Sequence, residues 1–65
     1  MRTLIDEPIM VNGEQKYADI IKDNDRLYLT FVGKYLPELD DAIMWERKTY
    51  RVYEINNGVV KAEAV

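Results

Sequence analysis

Ala42-Ile43-Met44-Trp45-Glu46-Arg47-Lys48-Thr49-Tyr50-Arg51-Val52-Tyr53-Glu54-Ile55-Asn56-Asn57-Gly58-Val59-Val60-Lys61-Ala62-Glu63-Ala64-Val65 reads as three consecutive antiparallel strands. Alternation from Ala42 to Glu46 puts Ile43 and Trp45 on one face and Met44 on the other. Arg47-Lys48-Thr49 is a polar break. Tyr50 to Ile55 is a run of aromatic and β-branched residues without Gly or Pro, which suits a strand. Asn56-Asn57-Gly58 then supplies residues that tolerate the positive φ of a tight hairpin turn. Val59 to Val65 returns along it, so the last third of the chain forms a meander.

Working outward, Arg26 to Val32 is a further strand, with Leu27, Leu29 and Phe31 on one face and Tyr28, Thr30 and Val32 on the other. Two apolar faces predict a central strand covered on both sides, ended by Gly33. Residues 34–41 form a connection that Pro37 and the acidic Glu38, Asp40 and Asp41 keep out of a sheet. Pro37 suits the start of a single helical turn, and Tyr35, Leu36 and Leu39 are placed to fold back onto the core. The first third admits two readings. Pro8 to Val11 followed by Asn12-Gly13 suits a strand entering a hairpin, and this reading is favoured. Asn12 with Gln15 also resembles a capping box, and Tyr17, Ile20 and Ile21 then fit one short helix near residues 13–22. The expected fold is mainly β: one domain over residues 1–65, a small five-stranded SH3-like barrel or rolled antiparallel sheet.

Composition narrows the chemistry. The 65 residues contain no Cys, no His and no Ser, with a net charge of −3 and 48% hydrophobic residues. Familiar nucleophilic triads and zinc sites built from Cys and His are therefore excluded. Asp23-Asn24-Asp25 begins like a calcium loop, but Tyr28 and Lys34 stand where that motif needs Gly and Glu. The three glycines are scattered singly, so there is no phosphate loop. The expectation is a non-enzymatic chain with no cofactor, no metal site and no small-molecule substrate. Asp6 interrupts the N-terminal apolar residues before they reach the length of a signal peptide. No run of residues approaches a membrane span. The expected location is cytoplasmic or within a virion or other particle.

Aromatic residues carry the functional reading. Trp45, Tyr50 and Tyr53 are interleaved with Arg47, Lys48 and Arg51, the one basic cluster in the chain. Tyr, Trp and Arg are typical interface anchors, so these six residues are the candidate binding site for a protein partner or a second copy. Aromatics beside basic residues also suit single-stranded nucleic acid, although Glu46 and Glu54 flank the cluster and oppose phosphate. The competing reading makes Trp45 and at least two tyrosines core residues. A third function, inhibition of a host protein through an acidic surface, would use Asp6, Glu7, Glu38, Asp40 and Asp41 on one face.

The run Ile43-Met44-Trp45-Glu46-Arg47-Lys48-Thr49-Tyr50-Arg51-Val52, with Asn56-Asn57-Gly58-Val59-Val60, resembles a hairpin of small SH3-like barrels found among phage and prophage products. That resemblance implies a structural or accessory binding role without catalysis. It transfers no site residues.

Overall fold

The computed structural model describes residues 1–65. Its strands are β1 (Arg2–Val11), β2 (Glu14–Asp23), β3 (Arg26–Phe31), β4 (Ala42–Trp45), β5 (Lys48–Asn56) and β6 (Val59–Ala64). They close into one antiparallel barrel in the order β1-β2-β3-β6-β5-β4, with β4 returning to β1. Two three-stranded meanders, β1 to β3 and β4 to β6, are joined by residues 32–41. Closure comes from pairing β3 with β6 and β1 with β4.

Six strands replace the expected five, and no helix forms. Residues 13–22 fall in a turn and in β2. Asn12 at φ 50° and Gly13 at φ 85° make a two-residue turn, with Val11 paired to Glu14. The hairpin therefore prevails over the capping box. Ala18 and Ile20 point inward and are buried, while Tyr17 and Ile21 point outward and stay exposed. That is the period of a strand. The remaining corrections concern β3 and the connection. β3 is central in pairing, between β2 and β6, but only its Leu27-Leu29-Phe31 face is covered; Thr30 and Val32 are exposed. In the connection, Pro37 starts no helical turn and is buried instead, whereas Leu36 and Leu39 remain exposed. Only Tyr35 of the three expected residues folds back, edge-on to Phe31 with ring centroids 5.2 Å apart.

The hairpin between β4 and β5 turns at Glu46 and Arg47, one residue earlier than the polar break indicated. Both have positive φ, 50° and 67°, and Trp45 pairs with Lys48. Lys48 and Thr49 thus already belong to β5. A left-handed conformation costs a residue with a Cβ roughly 1–2 kcal/mol. Arg47 makes none of the ion pairs that could offset this. Arg47→Gly is expected to raise stability by about 1 kcal/mol, seen as a higher urea midpoint at unchanged slope. A lower midpoint would contradict the turn geometry.

Thirteen buried apolar residues fill the barrel, among them Ile20, Leu27, Leu29, Ile43, Tyr50 and Val52. The connection is fastened to β5: the Asp40 N–H donates to Val52 O (2.9 Å) and the Val52 N–H to Asp41 O (3.1 Å). The Asp41 carboxylate accepts from the Glu38 N–H at 2.8 Å. That bond, helped by the Asn12 side chain, holds the Asp41 carboxyl below the usual carboxylate range.

The seam between β1 and β4 is the shortest pairing, limited to Met10 with Met44 and Val11 with Ile43. Further contacts extend it in both directions. At one end the Asn12 N–H donates to Ala42 O (3.0 Å) and Asn12 Oδ1 accepts from the Ala42 N–H (3.1 Å). At the other, Trp45 Nε1–H donates to Glu7 Oε2 (3.1 Å), and Arg2 grips Glu46 through two bonds of 3.0 and 3.2 Å. The Arg2 guanidinium also lies 5.5 Å over the Trp45 ring.

Candidate docking surface

The six residues of the expected site do not form one surface. Trp45 and Tyr50 belong to the core, at 4% and 0% exposure. Each alternates with a buried neighbour, Ile43 in β4 and Val52 in β5, so the pleat turns both into the barrel. Arg47 sits in the turn and Lys48 at the barrel end, 3.8 Å from Asp25. Arg51 lies on the outer wall, 3.8 Å from Asp40. Tyr53 is half-buried at a bulge of β5, where pairing to β6 shifts register, with Arg26 5.6 Å over its ring.

Tyr50 carries a buried phenol whose Oη has no hydrogen-bond partner in the protein. Burial, with smaller contributions from Glu46 and Asp25, raises its pKa. A buried hydroxyl left unpaired costs about 1–3 kcal/mol, so Tyr50→Phe is expected to be neutral or stabilising by about 1 kcal/mol. The sign of its pH dependence follows from linkage. Its stabilising contribution is complete below the unfolded tyrosine pKa of about 10 and is lost as pH rises through the higher folded value. Urea unfolding across the alkaline range should show a shallower decline for Tyr50→Phe. A decline as steep as that of the parent chain would contradict the assignment.

A different surface gathers apolar side chains on the outside. The residues of β4, β1 and β2 that alternate with the core face solvent as neighbours: Met44 opposite Met10, Met10 opposite Gln15, and Pro8 opposite Tyr17. The Val32 N–H donates to Tyr17 O (3.0 Å) and continues the row beyond β2. Met44 is 52% exposed, Tyr17 47% and Val32 59%. Two open grooves meet at Gln15. One, of about 300 Å³, is lined by Pro8, Met10, Met44, Trp45, Glu46 and Arg47. The other, of about 390 Å³, is lined by Asp6, Lys16, Tyr17, Val32 and Tyr35. Gln15 donates to Tyr17 Oη at 2.7 Å, and Lys16 Nζ sits 4.4 Å over the Tyr35 ring. Burial, with Asp41, Glu14 and Glu38 nearby, raises the Tyr35 pKa. Thioethers adapt to varied partners, and aromatic rings present contact area with little conformational freedom to lose.

Sequence reading placed Met44 outside but had no means of placing Met10 beside it. Two residues so far apart in the chain become neighbours only through the β1–β4 seam, for which no local signal exists. The carboxylates proposed for an acidic face are not a common free surface. Glu7 is turned onto Trp45, Asp40 faces Arg51, and Asp41 is engaged within the connection. No group of three or more acidic side chains is placed to share a metal ion, and no helix is long and apolar enough to cross a membrane. Compared with known proteins, the chain matches no family model, no curated protein and no solved structure.

Proposed function

We propose that this chain is a protein-interaction or assembly module that docks through the outer wall of β4, β1 and β2 and performs no catalysis. The observation that carries this reading is the cross-strand Met10–Met44 pair, continued by Pro8, Tyr17 and Val32 as solvent-facing apolar side chains. A wall of this kind supplies contact area where a closed barrel offers little else. Strand addition needs a free sheet edge. The stretch of β1 beyond β4 is interrupted by a bulge between Leu4 and Glu7, with Asp6 at φ 53°, and by Pro8, which has no N–H to donate. A partner must therefore bind side chains.

The resemblance of the β4–β5 hairpin to SH3-like phage products favours an assembly role within a particle. Against the nucleic-acid reading, Glu63 stands between Arg26 and Arg51 across β3, β6 and β5, and Glu54 pairs with Lys61. Alternating charge of this kind does not make the continuous positive groove that phosphate needs.

Capture from lysate of the source cells, compared between the parent chain and Met10→Lys or Met44→Lys, tests the reading. Both substitutions are expected to abolish retention of a stoichiometric partner while shifting the unfolding midpoint little. Retention by both variants would remove the wall as the docking surface.

A further inference from the structure

Resting on that reading, we infer that the occupant of the β4-β1-β2 wall is a second copy of this chain, related by a two-fold axis. An isologous interface must be self-complementary, since each patch meets its own image. The wall satisfies this in its arrangement of charge around an apolar centre. Its centre is apolar, with Pro8, Met10, Met44 and Tyr17. On the β4 side stand Glu46, whose carboxylate is taken up by Arg2, and Arg47, which is in none of the ion pairs. Towards β2 stand Asp19 of that strand and Asp6 at the bulge of β1, adjacent because the Asp6 N–H donates to Asp19 Oδ1 at 2.8 Å. Of the two lysines of β2, Lys16 has its Nζ on the Tyr35 ring and Lys22 donates to Asn24 O at 2.6 Å. A two-fold axis lying in the wall and parallel to its strands exchanges the two sides, so Arg47 of each copy faces the carboxylates of the other.

The area required is available. A standard interface takes about 800 Å² from each partner, and 800 of the chain's 4392 Å² is about 18%. Three of the six strands contribute to the wall. A chain of this size buries only about 60% of its unfolded surface, and with no cysteine for a disulfide, association is the remaining common source of burial.

Sedimentation velocity from micromolar to near-millimolar concentration reads the result directly. The parent chain is expected at twice 7.7 kDa, or 15.4 kDa, and Met44→Lys at the monomer mass. Arg47→Asp and Asp6→Lys each place like charges across the axis. Each is expected to weaken the dimer by about tenfold or more, most strongly at low salt. Mixing these two variants pairs the residue at 47 of each chain with an opposite charge at 6 of the other, so the mixture should regain the 15.4 kDa species. Circular dichroism of each variant confirms that it is folded, and Asp19→Lys replaces Asp6→Lys if the bulge fails to form. A parent chain that stays monomeric throughout overturns the inference. So does a dimer untouched by Met44→Lys, or single variants that mixing does not rescue. A monomer whose Met44-dependent capture of another protein persists overturns the second copy alone and leaves the docking surface standing.

Discussion

Trp45→Ala is expected to remove a large share of the chain's stability, seen as a much lower urea midpoint. Replacing a buried Trp by Ala costs about 3–5 kcal/mol, and a chain of 65 residues has only about 3–10 kcal/mol in total at the usual 0.05–0.15 per residue. The loss goes beyond apolar contact. Without the indole, Glu7 loses its donor and Arg2 loses the ring beneath its guanidinium, and both contacts extend the short seam. Trp45→Phe separates these contributions, because it keeps most of the apolar volume and removes the hydrogen bond, at about 1 kcal/mol. Urea unfolding followed by circular dichroism checks both. A Trp45→Ala chain that keeps its urea midpoint yet loses its partner would instead make Trp45 a contact residue, as the sequence alone allowed.

The second large effect is expected at Asn12. This residue adopts φ 50° at the start of the first hairpin turn, and its side-chain oxygen accepts from the Ala42 N–H across the seam. Asn12→Ala removes the acceptor and places a residue less tolerant of positive φ in the same conformation. Together these cost about 2–3 kcal/mol. Asn12→Gly relieves the backbone and loses the acceptor together with the support given to Asp41, so it should cost about 1 kcal/mol. Equal destabilisation by both would show that the backbone conformation contributes nothing. No destabilisation by Asn12→Gly would show that the seam does not need the clamp.

The second meander was legible because its signals are local. Asn57-Gly58 fixes a turn by its own backbone preference, and its φ values of 53° and 79° are those the dipeptide favours. Tyr17, Ile20 and Ile21 were not decisive, because three apolar residues at those positions fit a helical stripe and a barrel strand alike. Only the tertiary setting, with Ile20 inside and its neighbours outside, separates the two periods. The β4–β5 turn was displaced by one residue because polarity alone marked Arg47-Lys48-Thr49 as the break, whereas Glu46 and Arg47 carry no preference for the left-handed conformation they adopt. The same propensity gap is the reason Arg47→Gly should stabilise. Alternation with Ile43 and Val52 already marked Trp45 and Tyr50 as inward, and the clustering of aromatic with basic residues obscured it. The outer wall was invisible for a different reason: it depends on which strands close the barrel.

Closure between β1 and β4 supports both the fold and the docking surface, so nuclear Overhauser contacts across this seam are the most direct test. Asn12 bonds to Ala42 through the backbone, which makes the next facing pair, Val11 and Ile43, non-hydrogen-bonded, with α-carbons about 4.5 Å apart. A strong contact between their α-protons is expected, with slow exchange of the Asn12 amide. Absence of that contact, with β1 and β4 otherwise strand-like, would mean an open sheet in which Met10 and Met44 never meet.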